Sequence, residues 1–421
     1  MNAVHSPPGR DRKQKKTTSI TGYFRRPWID LAIFCVAVVF AVGTVAVAPA
    51  ARRPPQAVSP VRPTLHPTVR PTPTVQPKLP QVHIVGSVNL LTDTDVRQEL
   101  RKTLGLDVTA TQLGSSGILQ RLPFQRYKVY YLPNQIATQQ VQDKLSKLNL
   151  ANKTFPIFRS RLVVATYKPI ADLLHTLGVA SAVNPKDRIG TIDLAKYVAM
   201  VNAGTTWEQI PGNKNGQVFA SNAPVTFATP DPQQSAISQL FAAEAAYAVN
   251  GDRVPTDAAT AARLAQEISP IFSAQPAMET AADTAFEDWR SADDMAANPA
   301  TLTYENQYVQ DELIDQRTGQ QTGSKLIKDD MVLLYLTPEA FDVDSLIGVS
   351  GTGDEVAAAF MSDPKITALT EQRYAFIPPG VSPDQYAAAM GKLRVTVKGE
   401  LPANNGVPST GVMSALLKGL P

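Results

Sequence analysis

The sequence has few of the residues on which most catalytic and metal sites depend. It contains one cysteine, Cys35, and four histidines among 421 residues. A single cysteine excludes an intramolecular disulfide, a redox thiol pair and a cysteine-rich metal site. His5, His66, His83 and His175 form no His-Glu-x-x-His or Cys/His spacing. We therefore predict no metal site and no cofactor.

Motifs for nucleophilic or phosphate chemistry are also missing. Residues 114–117 (GSSG) have the wrong spacing for a Gly-x-Ser-x-Gly elbow. Residues 348–353 (GVSGTG) lack the lysine of a phosphate loop, and we interpret them as a turn before a helix. The acidic pairs 287–288 and 293–294 are interpreted as solvated surface. We predict that the chain is not an enzyme; a hydrolase whose carboxylates are distant in sequence is the minor alternative.

Positive charge is concentrated at the N-terminus. Residues 1–80 hold 12 Lys and Arg against two Asp, which leaves 28 basic and 35 acidic residues in 81–421. The overall pI of about 8.8 is therefore misleading, because the larger part of the chain carries a net charge near −7. This part lacks the basic footprint of a nucleic-acid-binding protein, and we predict no nucleic-acid partner.

Residues 31–50 form an uncharged apolar run. A helix of about 20 residues spans a hydrocarbon core of about 30 Å. Seven basic residues precede the run and four follow it within about 20 residues. We predict a cytoplasmic basic tail over 1–27, a transmembrane helix over 28–50 and a C-terminal part outside the cytoplasm. The alternative is a cleaved signal peptide, because residues 48–50 (APA) resemble a cleavage site.

Residues 51–80 contain nine prolines in 30 positions. Proline fixes φ and lacks an N–H donor, which excludes a helix or a central strand. In a polyproline II conformation, at about 3.1 Å per residue, the segment would reach about 90 Å. We interpret it as a stiff spacer between membrane and domain; a ligand for a proline-recognition module is the alternative.

After residue 80, short β-rich runs alternate with amphipathic helical patterns. Strands are predicted at 82–85, 106–113, 128–132, 161–166 and 331–336, with helices at 95–104, 170–177, 192–201, 354–361 and 383–390. This alternation predicts an α/β fold with parallel strands and right-handed crossovers. In such sheets ligands bind beyond the carboxyl ends of strands. The residues that follow the predicted strands are Gly86, Ser87, Gly114, Ser115, Ser116, Pro133 and Asn134, and their alternative role is in turns and helix caps.

The middle of the chain carries two further candidate strands, at 217–220 and 224–229. An Ala-rich helical pattern then extends to Val249. Asp231 is placed to be its N-cap and Pro232 its first residue. That arrangement would leave a helix N-terminus free to face a ligand.

Six segments carry a family resemblance over residues 81–421. They read, in order, VGSVNLLTDTDVRQELRKTLGLDVTATQLGSS, RSRLVVATYKPIADLL, LAKYVAMVNAGTTWEQI, TFATPDPQQSAISQLFAAEAAY, TYENQYV and MVLLYLTPEAFDVDSLIGV. Their order and spacing resemble the type II periplasmic-binding-protein fold, in its extracellular solute-binding branch. The resemblance implies two α/β lobes, formed by 81–165 plus 337–421 and by 166–336. Two crossing strands, near 155–166 and 331–337, would join them.

The resemblance also implies a ligand in the cleft between the lobes. Carried over position by position, the cleft would be lined by Ser87, Ser115, Ser160, Asp231, Ser235 and Glu305, and Ser116 is included as the neighbour of Ser115. Serine hydroxyls and helix N-termini suit oxyanions. Arg159 and Arg161, beside the crossing strand, are candidates to add positive charge.

Two functions follow from these expectations. The first is a membrane-anchored, extracytoplasmic protein that captures a small polar solute, with an oxyanion as one candidate and an ABC permease or another envelope protein as partner. The second is an envelope scaffold that keeps the fold without the pocket. It is motivated by residues 233–236 (QQSA), which stand where many members of the family have a run of small polar residues.

Overall fold

The computed structural model describes residues 79–421 except for 87–88, 113–121, 293–294, 296–297, 323–325, 392, 394, 396 and 398–404. The predicted basic tail, the transmembrane helix and nearly all of the proline-rich spacer lie outside the described residues. So do Ser87, Ser115 and Ser116. Within the described residues, no helix has the length and apolar character needed to cross a membrane.

Eight described strands form one continuous network. They are β1 (Gln81–Gly86), β2 (Asp107–Gln112), β3 (Val129–Leu132), β4 (Asn152–Tyr167), β5 (Ile189–Asp193), β6 (Ala300–Tyr304), β7 (Met331–Thr337) and β8 (Phe341–Val349). Their order is β2-β1-β3-β8-β4-β7-β5, and β6 also pairs with β4. The strands predicted at 82–85, 106–113, 128–132, 161–166 and 331–336 each overlap one of these elements, and the α/β class is confirmed.

Helices pack around these strands. The described helices are α1 (Thr94–Leu104), α2 (Gln135–Lys147), α3 (Lys168–Thr176), α4 (Leu194–Asn202), α5 (Ala236–Val249), α6 (Ala258–Ile268), α7 (Pro270–Ser273), α8 (Ala282–Ser291), α9 (Glu305–Thr322), α10 (Gly351–Ser362), α11 (Pro364–Tyr374), α12 (Pro383–Met390) and α13 (Thr410–Lys418). Asp93 and Asn134 accept hydrogen bonds from first-turn N–H groups of α1 and α2, which explains where these two helices begin.

Strand β4 is shared by two sets of partners. Its residues up to Arg161 pair with β8, and its residues from Leu162 onward pair with β6 and β7. Its 16 residues reach roughly 50 Å at the usual rise of a strand, which is enough to run through both sets. We call β2-β1-β3-β8 with the first part of β4 the first half-sheet, and the last part of β4 with β5, β6 and β7 the second half-sheet. The predicted crossing strand near 155–166 coincides with β4, whereas the one near 331–337 coincides with β7, which among the described strands pairs only within the second half-sheet.

The buried side chains follow the same division. Alternate residues of β1 face opposite sides of the first half-sheet, so Ile84 and Val85 belong to separate apolar clusters. A third, larger cluster fills the second half-sheet and its helices, with Val164 and Leu334 near its centre. The predicted lobe boundaries stay a prediction. Helix α13, which that prediction assigned to lobe one, buries Leu416 in the cluster of the second half-sheet.

The two strands predicted at 217–220 and 224–229 are wrong. Residues 217–220 form a loop held by the buried side chain of Asn213. Its amide nitrogen donates to the carbonyl oxygens of Trp207 and Phe219, and its amide oxygen accepts from the N–H groups of Val218 and Phe219. A side chain thus satisfies the backbone groups that a neighbouring strand would otherwise have to pair. Residues 224–229 make only isolated bridges to other segments.

The glycine-rich segment 348–353 connects β8 to α10 and serves close packing. A Cβ atom on Gly353 would lie 2.2 Å from the carbonyl oxygen of Lys128, so only glycine fits there. A helix follows, as interpreted, but the segment itself is not a turn: residues 348–349 end β8, Ser350 links the two elements, and residues 351–353 begin α10.

Candidate functional site

The carboxyl ends of β1, β2 and β3 lie at one edge of the first half-sheet. β1 is parallel to β2 and β3, β8 is antiparallel to β3, and β4 is antiparallel to β8. β1, β2, β3 and β4 therefore run in the same direction. At the edge that they approach, Leu132 lies opposite Ser345 and Arg161 lies opposite Phe341.

The strands of the second half-sheet point at the same place from the other side. β6 and β7 are antiparallel to β4, and β5 is parallel to β7. At their carboxyl ends Tyr304 lies opposite Leu162, and Tyr335 lies opposite Val163. The two half-sheets thus direct their strand ends at the middle of β4. We call residues 158–162 of β4 and the side chains around them the crossing region. Ligands of open α/β sheets bind at such carboxyl ends, so this is the candidate site.

Ser160 lies at the centre of the crossing region and is 2% exposed. Its hydroxyl donates to Oδ1 of Asn306 over 2.7 Å, and its backbone N–H donates to Oδ1 of Asp342 over 3.0 Å. The amide of Asn306 donates in turn to the carbonyl oxygen of Tyr374. Ser160 therefore joins β4 to α9 and β8, and its polar atoms already have partners within the chain.

Arg161, the next residue of β4, forms a buried ion pair. Its Nη1 lies 3.2 Å from Oε2 of Glu305, and each side chain is 1% exposed. Its Nε lies 3.4 Å from Oε2 of the partly exposed Glu339. Tyr335 donates its hydroxyl to Glu305 and lies beneath the guanidinium group. Burial raises the pKa of Glu305, and the charge of Arg161 opposes that rise.

Two aspartates on β8 complete the polar centre. Asp342 and Asp344 project from the same face of the strand, and each is 3% exposed. Burial raises the pKa of Asp344 to about 7. Burial and the charge of Asp344 together raise the pKa of Asp342 well above its usual range. The hydroxyl of Tyr131 donates to Asp344, and the pKa of Tyr304 is raised by burial and by the two nearby carboxylates. The raised pKa values keep the pair of Asp342 and Asp344 at least partly protonated at neutral pH.

Two helix N-termini meet beside this centre. Asn134 is fully buried, and its side-chain oxygen caps α2 by accepting from the N–H of Ala137 over 2.8 Å. Its amide group donates over 2.8 Å to the carbonyl oxygen of Ala236, in the first turn of α5. The N-cap residue of α5 is Ser235, which is 4% exposed, and its hydroxyl makes no capping hydrogen bond. The two half-sheets are therefore in direct contact where α2 and α5 begin.

Asp231 does not cap the Ala-rich helix, and that part of the prediction is wrong. Helix α5 begins at Ala236, five residues later. Asp231 instead closes a preceding turn: its Oδ1 accepts from the N–H of Gln233 over 2.7 Å, and its Oδ2 accepts from the side chain of Gln234 over 2.7 Å. An aspartate followed by proline is suited both to a turn of this kind and to the start of a helix, so the sequence alone does not distinguish the two structures.

A second polar link runs from α5 to the crossing region. Burial raises the pKa of Glu244 to about 7, and Asn405 donates to its Oε2 over 3.1 Å. The same amide group lies 3.1 Å from the carbonyl oxygen of Glu339. Since Glu339 also pairs with Arg161, the link connects a helix of the second half-sheet with the middle of β4.

The structure brings together only some of the predicted site residues. Ser160 and Glu305 are neighbours in the crossing region, whereas Ser235 and Asp231 lie at the start of α5 and in the turn before it. Ser87, Ser115 and Ser116 are outside the described residues, although β1 and β2 end at the same edge. The ligand-binding role of all seven stays a prediction.

Sequence reasoning missed the two aspartates on β8. Asp342 and Asp344 belong to the segment FDVDS, in which two acidic residues alternate with apolar ones, and this spacing places both on one face of a strand. An acidic residue at an inward position of a buried strand is rare and was the available signal. Within the described residues, no three His, Cys, Asp or Glu side chains are grouped so that they could hold a metal ion.

No family model matches the chain, and no curated protein matches it. Solved structures of similar fold include a ferric binding protein from Campylobacter jejuni, with 10% identity, a TM-score of 0.48 and coverage of 80% of this chain and 96% of that one. The substrate binding protein of an ABC transporter from Agrobacterium tumefaciens has 11% identity, a TM-score of 0.47 and coverage of 82% and 94%. Iron-bound HitA from Pseudomonas aeruginosa has 13% identity, a TM-score of 0.46 and coverage of 80% and 98%. Likeness at this level says nothing about the ligand of this chain.

Proposed function

We propose that the chain is a membrane-anchored, extracytoplasmic solute-binding protein with a two-lobed architecture of the type II periplasmic-binding-protein kind. The observation that carries the proposal is the meeting of both half-sheets at the crossing region. Six strands, β1, β2, β3, β5, β6 and β7, direct their carboxyl ends there, and α2, α5 and α9 begin beside it. Such a convergence of strand ends and helix N-termini favours a small-molecule cleft that closes by a hinge on β4 and the β7–β8 connection.

The chemistry of the crossing region favours a solute that donates hydrogen bonds. The crossing region holds four carboxyl groups, those of Glu305, Glu339, Asp342 and Asp344, and the first two of them pair with Arg161. An oxyanion would meet carboxylates here, and Arg161 is already engaged by two of them. A neutral polyol or a small ammonium compound would instead find acceptors. We therefore favour these classes over the oxyanion that serines and helix N-termini suggest.

The support for a membrane anchor and for a partner protein comes from the sequence. An uncharged run over 31–50 and a proline-rich spacer over 51–80 support a tethered protein whose N-terminus is cytoplasmic. A solute-binding domain held at a membrane would deliver its ligand to a permease, so an ABC permease or another envelope protein is the proposed partner.

A scaffold function is the second candidate, and one observation favours it. The polar atoms of Ser160 and the carboxylate of Glu305 are buried and already paired inside the chain. Against it, the described surface exposes only two large apolar side chains, Leu148 at 36% and Met361 at 41%. Stable protein partners generally need a larger apolar patch.

A thermal-shift screen of the full-length chain tests the proposal. The panel contains polyols and sugars, amino acids, small ammonium compounds and oxyanions. A solute present at 100 times its dissociation constant adds about 2.7 kcal/mol to the free energy of unfolding. We expect one class to raise the melting temperature of the wild type.

The variant S160A should abolish or weaken that shift, because it frees Asn306 and disturbs the crossing region. The matched control is S362A, which removes an exposed hydroxyl that bonds only within its own helix. If a folded sample responds to no class, the scaffold function replaces the proposal.

A further inference from the structure

The last residues of the chain pack on the second half-sheet. We call residues 405–421 the C-terminal strap. Its helix α13 buries Met413 and Leu416 in the apolar cluster of that half. A Cβ atom on Gly419 would lie 2.6 Å from Cβ of Ala265, so α13 and α6 are in close contact. Gln233 donates over 2.7 Å to the carbonyl oxygen of Leu417 and fixes the far end of the helix.

The strap also touches the first half-sheet, at the start of α13. The hydroxyl of Thr410 donates to Oδ2 of Asp143 over 2.7 Å. Asp143 lies on α2, whose residues Val141 and Leu145 are buried in the core of the first half-sheet. The hydrogen bond therefore joins the two half-sheets, in addition to β4, the β7–β8 connection and the contact of Asn134 with Ala236.

The two attachments differ in strength. On the second half-sheet the strap buries apolar side chains, and these side chains stay buried when the two half-sheets move slightly relative to each other. On the first half-sheet it makes a part-buried polar contact between two side chains. When the halves separate, water can replace the polar partners, whereas exposing the apolar face of α13 would be costly.

We propose that the C-terminal strap is a latch on the cleft. In the closed arrangement Thr410 holds Asp143, and on opening this hydrogen bond breaks while α13 stays on the second half-sheet. The latch biases the cleft toward the closed state before any solute arrives. This inference rests on the proposed function, since the latch matters only if the halves separate to admit a solute.

The expected effect is moderate. A hydrogen bond to a charged acceptor in a partly wet site contributes on the order of a tenfold change in an equilibrium constant. Loss of the Thr410 hydroxyl should therefore raise the open-to-closed ratio by about tenfold.

Distance measurements between spin labels on the full-length chain test the latch without any ligand. Labels are attached at K144C on α2 and Q266C on α6, both at exposed positions, in a C35S background. We expect the parent to show one short distance. The variants T410V and D143A should add a longer component, and T410S, which keeps the hydroxyl, should match the parent.

The matched control is T260V. Thr260 donates its hydroxyl to Oδ2 of Asp257 over 2.8 Å, which is the same chemistry inside one helix and its cap. This variant should lose some stability and keep the parent distance. The latch is overturned if T410V and D143A keep the parent distribution, or if T260V changes it as much as they do.

The outcome is separable from that of the solute screen. If T410V opens the cleft but no solute shifts the melting temperature, the latch is supported and the proposed solute binding is refuted. If a solute binds and T410V leaves the distances unchanged, the proposed function stands and the latch is refuted.

Discussion

The buried ion pair between Arg161 and Glu305 offers a sharp test of how the crossing region is held together. Both side chains are 1% exposed, and the carboxylate also accepts from Tyr335. The variant R161M keeps much of the side-chain volume and removes the cation. It leaves Glu305 buried without its main counter-charge, although Tyr335 still donates to it.

Removing one partner of a buried pair typically costs about 3–5 kcal/mol, because the other charge remains desolvated. We expect R161M to lower the free energy of unfolding by about that amount at pH 7. The double variant R161M/E305L should recover most of the loss, since an apolar pair of similar volume has no charge to desolvate. The exposed pair formed by Lys168 and Asp172 is the control, and K168M should cost less than about 1 kcal/mol.

The pH dependence adds a second constraint. In R161M the folded-state pKa of Glu305 lies further above its unfolded value of about 4.3, because burial is no longer opposed by Arg161. The folded state then binds the proton more tightly than the unfolded state. The loss of stability should be smallest below about pH 4 and should grow as the pH rises.

Urea denaturation of the full-length chain across this pH range measures both effects. A loss below about 1 kcal/mol for R161M at pH 7 would refute the reasoning. So would a double variant no more stable than R161M, because the penalty would then not come from the unpaired carboxylate.

Two further predictions test neighbouring features. Burial raises the folded-state pKa of Asp344 to about 7, so this carboxyl group ionises at lower pH in the unfolded state than in the folded state. The free energy of unfolding of the wild type should therefore fall between about pH 4 and pH 7, and D344N should reduce this fall. An equal fall between pH 5 and pH 7 in the denaturation curves of both proteins would contradict the prediction. G353A should destabilise the chain by about 1–3 kcal/mol, because the new Cβ atom would meet the carbonyl oxygen of Lys128. The control is G411A, which should not destabilise the chain because no atom lies near the position of its Cβ. Equal melting temperatures for the two variants would refute the packing argument.

Much of the secondary structure was readable from the sequence. Apolar periodicity located α1, α3 and α12, and the buried apolar runs located β4 and β7, because these signals are local. The middle of the chain was harder. The candidate strands at 217–220 and 224–229 have suitable composition, yet the side chain of Asn213 satisfies backbone groups of the loop that contains 217–220. The start of α5 was misplaced because Asp231 closes a turn with its own neighbours.

The candidate site was less predictable than the fold. Ser160 and Glu305 were identified through a resemblance, and Asn134 through its position after a strand. Their actual partners depend on contacts between distant residues: Ser160 meets Asp342 across 182 positions, and Arg161 meets Glu305 across 144. No local pattern encodes these pairs.

By itself, the sequence determined the α/β class, the position of five of the eight described strands and six of the thirteen described helices, and the shortage of residues for redox or zinc chemistry. Local propensity, apolar period and composition are properties of neighbouring residues, so they can be read along the chain. Tertiary structure alone decided that β4 serves both half-sheets, that Arg161 lies between two carboxylates, and that the C-terminal strap reaches Asp143. The physical reason is that burial and pairing energies arise only when remote segments exclude water from each other.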